Sequence, residues 1–228
     1  MRHFNRLING VNMINVCFKC GEYSAEKIVD IKGGYAICPV CGYKNQFKPM
    51  PLFIVAGASG TGKSTVLKEL FGKMDNVVLI ESDIIWQEEF NKPENNYRKF
   101  FETWLRLAKN ISQSGRPVVL FGAGLGVPEN IEPCIERGYF SKIFYLSLYC
   151  SDNELENRLK SRPQWRNSQS MEFIERQKEF NNWFKQYGKE GKPEIDLIDT
   201  TNIKLEETVE KVKHWINEKY TEWTSSGC

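Results

Sequence analysis

Leu52-Phe53-Ile54-Val55-Ala56-Gly57-Ala58-Ser59-Gly60-Thr61-Gly62-Lys63-Ser64-Thr65 is the stretch on which the reading of this chain turns. Its first five residues are apolar without interruption, as in a strand buried on both faces. A glycine-rich turn follows, and Lys63 opens a run with helical spacing to Gly72. From Gly57 to Ser64 the spacing is G-x-x-x-x-G-K-[ST], that of the phosphate-binding P-loop. Glycines let successive backbone N–H groups curl around phosphate oxygens, and the helix N-terminus adds its positive end. A lysine at this position reaches the β- and γ-phosphates, and the serine hydroxyl ligates Mg²⁺. Gly57, Ser59, Gly60, Thr61, Gly62, Lys63, Ser64 and Thr65 are therefore the expected nucleotide-binding set, with ATP and Mg²⁺ as ligands. A strand-turn-helix corner that is merely rich in glycine would leave the Lys-Ser pair without a reason.

Upstream, Pro49-Met50-Pro51 is a stiff junction, because proline fixes its own φ and restricts the residue before it. It separates the P-loop stretch from two cysteine pairs, Cys17-Phe18-Lys19-Cys20 and Cys38-Pro39-Val40-Cys41, with 17 residues between them. This spacing fits a four-thiolate zinc site formed by Cys17, Cys20, Cys38 and Cys41. A glycine after each pair, Gly21 and Gly42, permits the tight turn that aims two thiolates at one Zn²⁺. Ile28 to Ile31 and Tyr35 to Ile37 read as short strands around a Gly33-Gly34 turn. The segment 17–48 resembles a zinc ribbon; the rival reading, a redox C-x-x-C, rarely comes as two pairs so separated. Residues 1–16 are expected to be a tail, with Met13 an alternative start. The ribbon's lysines (19, 27, 32, 44, 48) outnumber its acids (22, 26, 30), and Tyr23, Tyr35, Tyr43 and Phe47 offer stacking faces. Single-stranded nucleic acid is thus one candidate partner and a purely structural role the other.

Downstream, apolar runs alternate with helical patterns. Strands are expected at Val77 to Ile80, Val118 to Phe121, Ile143 to Leu148 and Ile195 to Ile198. Helices are expected over Tyr97 to Ile111, stopped by Gly115, over Met171 to Tyr187 and over Leu205 to Tyr220. The implied fold class is α/β, three-layered, with a mostly parallel five-stranded sheet in residues 49–228 and ligands at the strands' C-terminal ends.

Other motifs select among P-loop chemistries. Asn91-Lys92-Pro93-Glu94 imitates a guanine-recognition motif, but it ends in Glu and precedes Val118 to Phe121. No acid follows Val118 to Phe121, where an ATPase motor or helicase would place one. Asp83, just past Val77 to Ile80, is expected to face the P-loop crevice as the base that accepts a hydroxyl proton. Its bland alternative is to cap a helix starting near Ile84. Arg158, Arg162 and Arg166 recur every four residues, with Pro163 breaking the helix there, which suits a lid that closes on a migrating phosphoryl group. Arg162 and Arg166 are the expected phosphoryl ligands, Arg158 a packing residue; a solvated basic helix face is the alternative.

From Leu52 onward the chain resembles the P-loop kinases that include gluconate, shikimate, adenylylsulfate and polynucleotide 5′-hydroxyl kinases. The loop Gly57 to Thr65, the carboxylate Asp83 and the lid arginines carry the resemblance. It implies catalysis by Lys63, Asp83, Arg162 and Arg166, and places Thr200 and Thr201 near the adenine ring. One departure stands out: many such polynucleotide kinases carry an arginine three residues after the Asp, where this chain has Trp86. The expected activity is transfer of the γ-phosphoryl of ATP to a hydroxyl of a small molecule or nucleoside, with Trp86, Tyr97 and Arg98 near the acceptor. Alternatives are a polynucleotide 5′-hydroxyl kinase using the ribbon, a nucleoside-monophosphate kinase using Arg98 and Arg106, and a non-catalytic nucleotide sensor.

Bulk properties agree with this picture. Apolar residues make up 41% of the 228, charged residues 26%, and the net charge is +2, too small for a dedicated nucleic-acid surface. No apolar run approaches the roughly 20 residues of a membrane span. Met1 to Gly10 lacks the apolar core of a signal peptide, so a cytoplasmic location is expected. Seven cysteines, an odd number, argue against a disulfide framework, and Cys134 and Cys150 are expected in the core.

Overall fold

The computed structural model describes residues 15–226. The expected tail up to residue 14 and the isolated Cys228 lie outside them. Eight strands are described: β1 (Ile28–Asp30), β2 (Tyr35–Ile37), β3 (Lys44–Gln46), β4 (Leu52–Ala56), β5 (Val78–Glu81), β6 (Val118–Phe121), β7 (Ile143–Tyr149) and β8 (Ile195–Asp199). The α-helices are α1 (Lys63–Leu70), α2 (Arg98–Ser112), α3 (Pro128–Ile131), α4 (Asp152–Lys160), α5 (Met171–Glu190) and α6 (Leu205–Ser225).

Strands β4 to β8 form one sheet in the order β5-β6-β4-β7-β8, and every neighbouring pair is parallel. P-loop strand β4 is central, and all five of its residues are buried. Alternation along the strands divides the core in two. Leu52, Ile54, Val118, Leu120 and Tyr145 pack against Phe101, Trp104 and Leu105 of α2 and Phe184 of α5. Phe53, Val55, Val119, Phe121 and Leu146 pack on the opposite face against Val66, Leu67 and Leu70 of α1 and Val212, Trp215 and Ile216 of α6. These are the three layers expected from the apolar strand runs.

The N-terminal strands form a separate antiparallel sheet, β1-β2-β3. Its third strand, Lys44-Asn45-Gln46, was not foreseen in the sequence pattern, since all three side chains are polar. Strand β3 forms because Asn45 is buried and satisfied: its amide donates to the carbonyls of Ala36 (3.1 Å) and Tyr43 (3.3 Å), and its oxygen accepts from Phe18 N–H (3.0 Å).

This small sheet docks on the end of the large sheet where the strands begin. Phe47 meets Tyr139 edge to face, and the Tyr139 hydroxyl donates to Ala25 O (2.5 Å). Gln113, just past α2, accepts from Lys48 N–H (2.8 Å) and donates to Lys48 O (3.1 Å). Beneath lies a buried charge cluster: Glu136, fully shielded from solvent, accepts from Lys109, from Arg106 (2.9 Å) and from Asn15 (3.2 Å). Burial pushes the Lys109 ammonium below its usual pKa while Glu136 supports its charge, and the Tyr139 ring lies 3.7 Å from it. No helix among the described residues is long and apolar enough to cross a membrane.

Candidate functional site

Parallel register aligns the tops of three strands. Val55 is level with Phe121, which is level with Glu81, so the P-loop, Gly122 and Ser82-Asp83 leave the sheet at one height. The loop's shape depends on glycine: Gly57, Gly60 and Gly62 have φ of 138°, 97° and 105°, a region that side-chain-bearing residues rarely adopt. A Cβ at Gly57 would also strike the Leu148 carbonyl on the neighbouring strand. Ser59 N–H is held by the Gln177 side-chain oxygen of α5 (2.8 Å), and the Thr61 hydroxyl donates to Ala58 O (2.9 Å).

A cavity of about 130 Å³ opens above this loop, lined by Ser59, Lys63, Ser64, Asp83, Arg162 and Arg166 among others. Residues from Ser59 to Arg166, far apart in the sequence, thus face one space. The Ser64 hydroxyl donates to the Glu81 carboxylate (2.6 Å), which also lines the cavity. Glu81 was missed by sequence reasoning, although its place at the end of an apolar strand two residues before Asp83 was a signal. Asp83 is not a helix cap, contrary to the alternative weighed for it. A 3₁₀ turn, Ser82–Ile85, follows β5 directly in place of an α-helix, with no side-chain cap. This turn is anchored by Trp104, whose indole N–H donates to Ser82 O (3.0 Å).

Lys63 donates to the carbonyls of Gly57 (2.7 Å) and Ala58 (3.0 Å). Burial in the loop lowers its pKa to about 8, opposed by the Asp83 and Glu81 charges and aided by Arg162. A bound triphosphate favours the charged ammonium. Nucleotide affinity is therefore expected to be flat below about pH 8 and to fall above it, by up to about tenfold per pH unit, because the free protein loses the proton that binding requires. Calorimetric titration with ATP between pH 7 and 10 measures this; a flat profile throughout would show that Lys63 stays charged in the free protein.

Arg162 follows α4, and Arg166 ends the 3₁₀ turn Gln164–Arg166, where it lies 4.6 Å from the Trp165 ring. Burial and the Arg166 charge both press the Arg162 guanidinium below its usual value. An anion between the two arginines relieves that repulsion. The segment carrying them is braced from behind: Gln169 donates to Lys160 O (3.1 Å) and Arg162 O (2.8 Å), and Ser168 to Leu159 O (3.1 Å).

A second cavity, about 310 Å³, adjoins the loop and is lined by Thr61, Thr65, Arg158, Thr200, Ile203 and Leu205, among others. Thr200 belongs to it, but Thr201 turns aside: its hydroxyl and N–H donate to Asp199 (2.5 and 2.8 Å), and its oxygen accepts from Ser151 N–H (2.9 Å). Arg158 does more than pack within its helix. It bonds Glu154 (2.7 Å) and clamps Thr200 through the hydroxyl (3.0 Å) and carbonyl (2.6 Å). Arg98 and Arg106 are engaged elsewhere, Arg98 with Asn130 O (3.2 Å) and Cys134 Sγ (2.9 Å), Arg106 with Glu136.

The four ribbon cysteines converge, with every Sγ within 4.8 Å of the others. Cys17–Cys41 and Cys20–Cys38 sulfurs are 3.6 and 3.7 Å apart. Thiolates at about 2.3 Å from a tetrahedral metal would be about 3.8 Å apart, so donor set and spacing fit Zn²⁺. The turns close through Gly21 N–H to Cys17 O (2.8 Å) and Gly42 N–H to Cys38 O (3.0 Å), with φ of 76° and 67° at the two glycines. Cys134 and Cys150 are buried, as expected of core cysteines.

No protein-family model and no curated protein matches the sequence. Solved structures do match. A sugar kinase from Janibacter sp. HTCC2649 superposes with a TM-score of 0.53 at 15% identity, over 74% of this chain and 95% of that one. The fold is that of the P-loop kinases. A gluconokinase from Sinorhizobium meliloti 1021 (TM-score 0.51, 17% identity, 80% of this chain and 100% of that one) and a shikimate kinase from Acinetobacter baumannii (0.50, 18%, 75% and 94%) share it. At such identities the P-loop kinase fold is what is held in common. The chemistry of this chain rests on its own residues.

Proposed function

We propose that the protein is an ATP- and Mg²⁺-dependent phosphotransferase that moves the γ-phosphoryl group to a hydroxyl of a small molecule. The observation that carries this reading is one crevice lined together by Lys63, Ser64, Asp83, Arg162 and Arg166. The loop amides and Lys63 hold the triphosphate. The acceptor oxygen attacks the γ-phosphorus, the bond to the β,γ-bridging oxygen breaks, ADP departs, and the hydroxyl proton passes to the Asp83 carboxylate. Arg162 and Arg166 stabilise the charge spread over the equatorial oxygens. Ser64 and Glu81 offer the hard oxygen donors that suit Mg²⁺, which when bound screens the triphosphate charge. The cavity at Thr200, Ile203 and Leu205 accommodates the base, and Cys17, Cys20, Cys38 and Cys41 hold Zn²⁺ in a thiol-preserving, cytoplasmic setting.

Two rival assignments fit less well. A nucleoside-monophosphate kinase would need Arg98 and Arg106 for the acceptor phosphate, and both are engaged in other pairs. A polynucleotide kinase that presents its strand on the ribbon would have to span the height of the sheet. Five strand residues make that about 16 Å, because the ribbon sits at the strand beginnings and the crevice at the strand ends. The test is acceptor-dependent release of ADP from ATP, with the labelled γ-phosphate recovered as an ester of the acceptor. ATP consumption that yields only free phosphate with every hydroxyl compound would overturn the reading.

A further inference from the structure

Just beyond Asp83 the chain enters an aromatic cluster. The 3₁₀ turn Ser82–Ile85 closes through Trp86 N–H to Asp83 O (3.0 Å). In 3₁₀ geometry residues three apart eclipse one another and are separated by about 6 Å along the axis. Trp86, the residue that ends the turn, therefore leaves it on the same side as Asp83. Its ring sits edge-on to Phe100 (5.2 Å) and is tilted against Tyr97 (6.0 Å), yet 45% of the residue stays exposed. Packed from behind and open in front, the indole is held as a platform. Its surroundings do not favour an anion. Glu88 and Glu89 follow it on an exposed turn, Arg98 is taken by Asn130 and Cys134, and Lys99 lies 6.0 Å over the Phe90 ring. The cations that do line the crevice, Lys63, Arg162 and Arg166, are those the proposed mechanism gives to the phosphoryl group.

We infer that Trp86 is the acceptor-binding residue of this site and that the acceptor is a nucleoside, an uncharged alcohol whose flat base stacks on the indole while its hydroxyl meets Asp83. This rests on the phosphotransferase reading above, and it disfavours sugar acids and phosphate esters, whose negative charge would lie beside the turn that carries Glu88 and Glu89. Stacking on one aromatic face has the strength to bind a base without a charged contact.

Adenosine, cytidine and thymidine, with gluconate and AMP in parallel, are titrated into the full chain and into Trp86→Phe and Trp86→Ala, using tryptophan fluorescence and calorimetry. At least one nucleoside is expected to bind and quench the Trp86 indole, a signal that Trp86→Phe removes while the more exposed Trp165 stays in place. Trp86→Ala is expected to weaken it at least tenfold, the loss typical of one base–aromatic stack, while Trp86→Phe stays within about threefold and ATP affinity is unchanged. Nucleoside binding insensitive to Trp86→Ala, absence of binding by all three nucleosides, or tighter binding of gluconate or AMP would overturn the assignment. Turnover is read separately. A nucleoside that binds through Trp86 without being phosphorylated leaves the assignment standing and removes the phosphotransfer; gluconate phosphorylated equally by wild type and Trp86→Ala does the reverse.

Discussion

Asp83→Asn is expected to lower kcat by about 10² to 10⁴-fold, the usual contribution of a general base, and to leave ATP affinity at pH 7 within a few-fold. Asparagine keeps the shape of the side chain but cannot accept the acceptor's proton. Folding has little stake in the carboxylate. Asp83 caps no helix, and its one side-chain bond among the described residues is a long one from the Ser82 hydroxyl (3.5 Å), which asparagine's oxygen can also accept. Its turn is held by Trp104 on the Ser82 carbonyl and by backbone bonding from Trp86. One side effect follows from the electrostatics. The Asp83 charge supports the Lys63 ammonium, so the variant should lose ATP affinity at lower pH than wild type does. Steady-state turnover at pH 7, with ATP binding by calorimetry at pH 7 and 9, separates the two effects. Undiminished turnover would remove Asp83 from the mechanism.

Removal of zinc is expected to unfold the ribbon while the P-loop domain stays folded. The ribbon's strands are three residues each, and its apolar support is the small cluster of Ala36, Phe47, Val29 and Ile31 against Tyr139. So little buried surface cannot offset the ordering entropy of some thirty residues, whereas zinc contributes on the order of 10–16 kcal/mol in comparable small sites. The large sheet has its own two-sided core, independent of the four ribbon cysteines. Metal analysis should give one zinc per chain. Chelation, or Cys38→Ser, should bring amide exchange over 28–46 close to that of a free chain while Leu52–Ala56 stays protected. A ribbon equally protected after chelation would show that packing on Tyr139 and Gln113 suffices to hold it.

Legibility in the sequence followed how local each signal was. The P-loop, the strand runs and the cysteine pairs are contiguous patterns, and the residues alone placed them with small end errors: β5 runs one residue later than expected, and α5 and α6 run further. Strand β3 was not legible, because Asn45 earns its place through bonds to Ala36 and Phe18, which no propensity of Lys-Asn-Gln encodes. Asp83 was legible as a residue just past a strand, but Glu81 bonded to Ser64 depends on how α1 crosses the strand ends, a tertiary fact. The commitments of Arg98 to Cys134 and of Arg106 to Glu136 were equally hidden, since each joins segments more than 29 residues apart. Thr200 and Thr201, indistinguishable as neighbours, diverge because one is clamped by Arg158 and the other by Asp199.

The ribbon meets the end of the large sheet opposite the crevice, and the polarity of a parallel sheet makes this separation permanent. All five strands point the same way, so whatever touches the ribbon's outer face and whatever enters the crevice never compete for one volume. In kinetic terms, a ligand of the ribbon would leave the substrate KM values alone and act, if at all, through α2, which runs from beside Asp83 at Trp104 down to Gln113 at Lys48. The crevice and the ribbon thus stand at opposite ends of one sheet.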